Sequence, residues 1–102
     1  MRRFVVQDTS MQPGLYPGDR LLVWQWAARP KPGDVVVFRD PEWHLSYAVK
    51  RVASLAATGD LIVRGDNANV SRDSRAFGPV PRRLVVGRVV YRYLPAKRRG
   101  RV

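Results

Sequence analysis

The 102-residue sequence predicts an all-β fold, a compact barrel or two-sheet antiparallel arrangement with little or no helix. Three observations carry the prediction. Short runs rich in Val, Leu, Ile, Phe and Trp recur along the chain, each bounded by Gly, Pro or Asp. No stretch of ten or more residues repeats its apolar positions at helical spacing. A hydrophobic content of 45% in a chain of this length supports one domain with one modest core.

Taken in order, Arg3-Phe4-Val5-Val6-Gln7 reads as a first strand that runs into a loop dense in turn residues, Asp8 to Asp19. Arg20 to Trp26 is apolar and aromatic and reads as a strand buried on at least one face. Pro30-Lys31-Pro32-Gly33-Asp34 is a turn, delivering the branched run Val35 to Arg39 as a third strand. After the loop at residues 40–44 comes a longer strand, Leu45 to Ala53, and after the Gly59-Asp60 turn a short one, Leu61 to Arg64. Gly65 to Arg75 is a polar loop, and Leu84 to Leu94 is a final strand in which Gly87 suggests a bulge. The domain is expected to span residues 1–94, with residues 95–102 as a basic C-terminal tail.

Charge is distributed unevenly. There are 19 Lys and Arg against 8 Asp and Glu, a net charge of +11, and the last acidic residue is Asp73. The run Lys97-Arg98-Arg99-Gly100-Arg101 therefore predicts contact with an acidic surface or anionic membrane, the alternative being a solvated tail. Zero cysteines exclude disulfides, thiolate metal sites and cysteine nucleophiles, and one histidine argues against a zinc centre. The longest apolar runs fall far short of the roughly 20 residues that span a bilayer, and the N-terminus has no signal-peptide pattern. A cytoplasmic protein, or one peripheral to a membrane, is the expectation.

The chemistry points to Ser10. Two prolines and two glycines surround it within Asp8-Thr9-Ser10-Met11-Gln12-Pro13-Gly14-Leu15-Tyr16-Pro17-Gly18-Asp19, a composition suited to holding a hydroxyl at a defined angle. A serine needs a base, and strand alternation offers one in Lys50, which shares a face with Ser46, Ala48 and Val52. Small apolar neighbours would strip water from its ammonium, lowering its pKa until the amine can accept a proton. A strand lysine otherwise packs its stem and extends its head into solvent. The loop Gly65-Asp66-Asn67-Ala68-Asn69-Val70-Ser71-Arg72-Asp73-Ser74-Arg75 has the composition of a turn held by side-chain to backbone hydrogen bonds.

Ser10-Met11-Gln12-Pro13 with Gly18-Asp19, then Pro32-Gly33-Asp34-Val35-Val36-Val37-Phe38, then Lys50-Arg51-Val52, then Gly65-Asp66-Asn67 with Ser71, Asp73, Ser74 and Arg75, resembles the ordered motif set of the type I signal peptidases. These are the S26 serine-lysine endopeptidases, of all-β fold. The resemblance covers roughly residues 5 to 90. It implies Ser10 as nucleophile, Lys50 as general base, Ser71 as the hydroxyl that orients the lysine, and Asp73, Arg75 and Arg51 as a supporting ion-pair cluster. It further implies that Met11 keeps Lys50 dry and that the Ser10 N–H donates to the oxyanion within the loop formed by Asp8, Thr9, Met11 and Pro13. It implies no cofactor and no metal site.

Two positions depart from the family pattern. Asp8 stands where some members carry a hydroxyl that completes the oxyanion hole, and an ionised carboxylate cannot donate. Gly14 stands where a threonine is usual, which would loosen the loop. Compactness is a third departure, since 14 residues separate Arg51 from Asp66. This makes the chain most similar to the nickel-type superoxide dismutase maturation proteases, with the nickel superoxide dismutase precursor as protein substrate and the nickel belonging to that substrate. The alternatives are an anchorless signal peptidase I acting on secretory signal peptides, and a basic β-barrel that stacks nucleic-acid bases on Trp24, Trp26, Trp43, Tyr91 and Tyr93. Nucleic acid is the less expected partner, and His44, in an aromatic turn, is the weaker base for Ser10.

Overall fold

A computed structural model of the chain describes residues 1–25 and 29–102. The all-β expectation holds. The strands are β1 (Arg2–Val5), β2 (Arg20–Trp24), β3 (Val35–Arg39), β4 (Tyr47–Leu55), β5 (Leu61–Arg64), β6 (Val85–Leu94) and β7 (Gly100–Arg101). They form one open antiparallel sheet in the order β1-β2-β6-β3-β4-β5, with β7 on β6.

The third and fifth strands fall where the sequence puts them, while β4 starts and ends two residues later than expected. Trp26, expected in the second strand, lies outside the described residues. Near Gly87 the pairing shifts register between Val37↔Gly87 and Phe38↔Val85, in keeping with the expected bulge. The polar loop is not wholly irregular, because Ser74–Phe77 make one helical turn, α1. Asp73 caps it, accepting from the backbone N–H of Arg75.

The alternation of β3 explains the core. Val35 and Val37 join Val6, Met11, Leu15, Leu21, Val23 and Val89 on one face. Val36 and Phe38 join Val52, Leu61, Val63 and Val80 on the other. A strand covered on both faces reads as an unbroken apolar run, as Val35 to Phe38 does.

Residues 95–102 fold back on the sheet. β7 pairs with Tyr91 and Arg92, and the guanidinium of Arg98 bonds the buried carboxylate of Asp19 together with Arg92. Asp19 also accepts from the Tyr16 N–H at 2.9 Å, while Val6 and Asp19 close the base of the serine loop through a 2.9 Å backbone bond. Part of the basic charge at the C-terminus thus anchors the loop that carries Ser10.

Candidate active site

Met11 and Leu15 insert into the first core cluster, so the apolar side of the serine loop is fixed and Ser10 is held, almost fully buried, at the floor of a groove. The groove encloses about 680 Å³ and runs between β1 and the first half of β4. Among the described residues both walls are free strand edges there: β1 pairs only with β2, and β5 reaches β4 only from Arg51 onward.

Lys50 lies opposite Val36 in the sheet, between Ala48 and Val52 on the face of the second core cluster. Its Nζ donates to Ser10 Oγ across 2.6 Å. Burial pushes the Lys50 amine below its ordinary value. Asp8 and Asp73 oppose that shift, Arg72 reinforces it and Asp40 opposes it, without overturning the effect of burial. The sequence-predicted nucleophile and base are therefore in contact, 40 positions apart in the chain.

The Gly65-Asp66-Asn67 segment holds the serine loop from the other side. The Asn67 N–H donates to the Ser10 carbonyl at 2.8 Å, and Asn67 Nδ2 donates to the Thr9 carbonyl at 3.2 Å. A Cβ on Gly65 would sit 2.1 Å from Ser71 Oγ and 2.6 Å from the Ser10 carbonyl oxygen, so only glycine permits this approach. Gly14 has a similar role, since a Cβ there would meet Asp66 Oδ2 at 2.6 Å. The absent threonine makes room for the carboxylate rather than loosening the loop, and Leu15 still closes a turn onto the Met11 carbonyl at 2.9 Å.

The supporting residues form two separate ion pairs. Arg51 grips Asp66 with two 2.9 Å bonds and donates to the Gly33 carbonyl, whereas Asp73 takes Arg75. Ser71 Oγ donates to Asp73 Oδ2 at 2.9 Å, so its hydrogen bond goes to the carboxylate and not to Lys50. Asp73 also accepts from the Gly65 N–H at 3.0 Å. Burial alone would raise the Asp73 pKa, but Arg75 and these N–H and O–H donors hold it far below the carboxylate range.

Asp8 does not point away. Its Oδ1 accepts the Ser10 N–H at 3.0 Å, the donor expected to serve the oxyanion. Pro13 is exposed on the loop, and His44 is exposed, with its Nε2–H donating to the Pro41 carbonyl and no place in the groove wall. Among the aromatics weighed for base stacking, Trp43 lines the groove and Trp24 is half-exposed at the end of β2.

Sequence reasoning missed one cluster in the same wall. Asp40, just after β3, is buried and ion-paired with Arg72, which also bonds Glu42 at 2.6 Å and stacks 3.8 Å over the Trp43 ring. The partners stand 32 positions apart in irregular segments, and no local pattern announces them.

A serine hydroxyl against a buried lysine, at the floor of a groove in an antiparallel sheet, is consistent with a serine-lysine peptidase. The comparison with known sequences agrees with that class. The chain belongs to the family described as signal peptidase, peptidase S26, which it matches over residues 1–62 and 56–94. It is 32% identical to the mitochondrial inner membrane protease subunit 2 of Schizosaccharomyces pombe, over 95% of this chain and 67% of that protein. It is 33% identical to the mitochondrial ATP-independent inner membrane protease subunit 1b of Arabidopsis thaliana, over 84% of this chain and 66% of that protein. Identity to the chloroplastic thylakoidal processing peptidase 1 of Arabidopsis thaliana is 28%, over 88% of this chain and 41% of that protein.

The chain thus spans about two thirds of the length of the mitochondrial relatives. Their names correct the cytoplasmic placement expected above, because they belong to the mitochondrial inner membrane and the thylakoid. Among the described residues no helix is long and apolar enough to cross a membrane, but a missing apolar helix says nothing about compartment.

Proposed function

We propose that this chain is a serine endopeptidase working through a Ser10–Lys50 dyad, and that it removes an N-terminal leader from a precursor protein. The observation that supports this most directly is the 2.6 Å contact between Ser10 Oγ and an Nζ that burial disposes to be neutral. In the neutral amine the hydrogen bond reverses, the hydroxyl donating to the nitrogen lone pair.

The substrate's scissile segment binds extended between the free edges of β1 and β4, pairing its backbone with theirs. Ser10 Oγ attacks the scissile carbonyl while Lys50 Nζ takes the hydroxyl proton. The tetrahedral oxyanion needs the Ser10 N–H, so Asp8 must release it as substrate seats. Collapse of the intermediate breaks the C–N bond, and Lys50 returns the proton to the leaving amine. Water then attacks the acyl-Ser10 ester with Lys50 again as base, freeing the carboxylate product. Asp73, with Arg75, Ser71 and Gly65, holds the segment that packs against the serine loop.

Two substrate readings are carried within this activity. Compactness favours the leader of a nickel superoxide dismutase precursor, and the likeness to inner-membrane and thylakoidal processing peptidases favours signal or sorting peptides equally. Incubating the chain with a nickel superoxide dismutase precursor and with a secretory precursor, and reading the new N-termini by mass, separates them. Cleavage of either that Ser10→Ala and Lys50→Ala both abolish supports the dyad. Cleavage that survives Lys50→Ala refutes it, and an intact superoxide dismutase precursor refutes that substrate.

A further inference from the structure

Arg72 and Asp40 belong to no motif that defines the catalytic pair, yet both line the groove that holds Ser10 and Lys50. Asp40 is 4% exposed, and its Oδ1 accepts the backbone N–H groups of Glu42 at 2.8 Å and Trp43 at 2.9 Å. The carboxylate thereby shapes the loop after β3 and presents itself to Arg72. Arg72 uses two nitrogens on Asp40, one on Glu42, and lays its guanidinium against Trp43 and, at 5.0 Å, Phe77. A guanidinium held by two carboxylates and two rings has little freedom to swing away.

We propose that Arg72, clamped by Asp40 in the groove wall, is a positioning residue that sets the charge environment in which Lys50 acts as base. The proposal rests on the Ser10–Lys50 reading. Lining the groove with Lys50 are Arg3 on β1, Asp8 after it, Asp40 after β3 and Arg72 before α1, with Asp73 next to Arg72 in the chain. Four of these, Asp8, Asp40, Arg72 and Asp73, act on the charge of Lys50. The three carboxylates favour the ammonium form, and Arg72 alone among the four opposes it. Asp73 is largely committed to Arg75, Ser71 and Gly65. Beside Asp8, the balance between Arg72 and Asp40 is therefore an adjustable part of the field at Nζ.

The two halves of this ion pair make opposite predictions, which a merely structural salt bridge would not. Arg72→Gln removes the positive neighbour and leaves Asp40 uncompensated, so the acid limb of the kcat/KM profile moves to higher pH. At a pH on that limb the loss is on the order of fivefold. Asp40→Asn keeps an acceptor for the Glu42 and Trp43 N–H groups but frees the charge of Arg72, so the limb moves to lower pH. Arg72→Lys keeps the limb near wild type while raising KM through loss of the bidentate contact. The Arg72→Gln, Asp40→Asn double variant falls between the single ones.

The profiles are read with a peptide carrying small residues around the scissile bond. The titration midpoint of 15N-labelled Lys50 reads the same displacements without substrate, so variants with poor turnover still report. Opposite shifts for the two single variants support the proposal. Shifts in one direction, or an unmoved midpoint in folded protein, overturn it. Failure of the dyad itself is distinguishable, because cleavage would then persist in Lys50→Ala whatever Arg72 does.

Discussion

Removing the Asp8 side chain should make this enzyme faster. In the resting structure the Asp8 carboxylate occupies the Ser10 N–H at 3.0 Å, and its charge also favours the ammonium form of Lys50. A hydrogen bond from an amide to a carboxylate contributes about 1.5–3 kcal/mol. Asp8 is exposed, and competition from water brings that to about 1 kcal/mol. Substrate must break this bond before the oxyanion can use the donor, so Asp8→Ala is expected to raise kcat/KM about fivefold on the pH plateau. Asp8→Asn keeps an acceptor and loses only the charge, so its acid limb moves to lower pH while its plateau stays at the wild-type value. Steady-state cleavage of one peptide across pH by the three proteins distinguishes the two effects. An Asp8→Ala plateau at or below wild type would refute the reasoning and make Asp8 a residue that shapes the serine loop productively.

Gly65→Ala should lower both melting temperature and activity, the latter by about a hundredfold or more, because the new methyl displaces Ser71 and the Ser10 carbonyl. Asp73→Ala should destabilise the fold by about 3 kcal/mol in chemical denaturation, since it strands the Gly65 N–H and Arg75, the latter partly exposed. The Asp73 pKa is depressed in the folded state, so its contribution is present above the ordinary 3.8 and lost as pH falls through the folded-state value. Acid unfolding should accordingly be less steep in Asp73→Asn than in wild type. Lys50→Met should abolish cleavage yet raise stability at neutral pH. With the folded-state Lys50 value below 10.5, the unfolded chain binds the extra proton between the two values, so wild-type stability rises with pH across that window. The advantage of Lys50→Met should shrink as pH approaches 10.5, and a constant advantage would count against a desolvated amine.

Much of this was legible in the residues because the signals were local. Val35 to Arg39 and Leu61 to Arg64 are branched runs closed off by Gly-Asp or Gly residues, and both strands fall within those limits. The same alternation put Lys50 between Ala48 and Val52, where it stands. What escaped was long-range or very short. An open sheet and a barrel share their strands and differ only in which edges meet, which period-two patterning does not encode. The turn Ser74–Phe77 is too brief to show helical periodicity and exists through its Asp73 cap. The Asp40–Arg72 pair joins two loops, and the turning of Ser71 toward Asp73 is decided by a buried carboxylate two residues away. The basic C-terminal segment gave only its charge, while pairing with β6 and the anchoring of Asp19 by Arg98 depend on neighbours far back in the chain.

Cleavage through the proposed dyad requires Lys50 to be a neutral amine when it meets Ser10. The chain has only three lysines, Lys31, Lys50 and Lys97, so 15N-lysine labelling resolves them, with Lys50→Met to assign the signal. The measurement is the titration midpoint of Lys50 Nζ beside the acid limb of kcat/KM. A midpoint well below the ordinary 10.5 that coincides with the limb is the predicted result. A Lys50 that titrates at the ordinary 10.5, in a protein that still cleaves its substrate at neutral pH, would contradict the dyad.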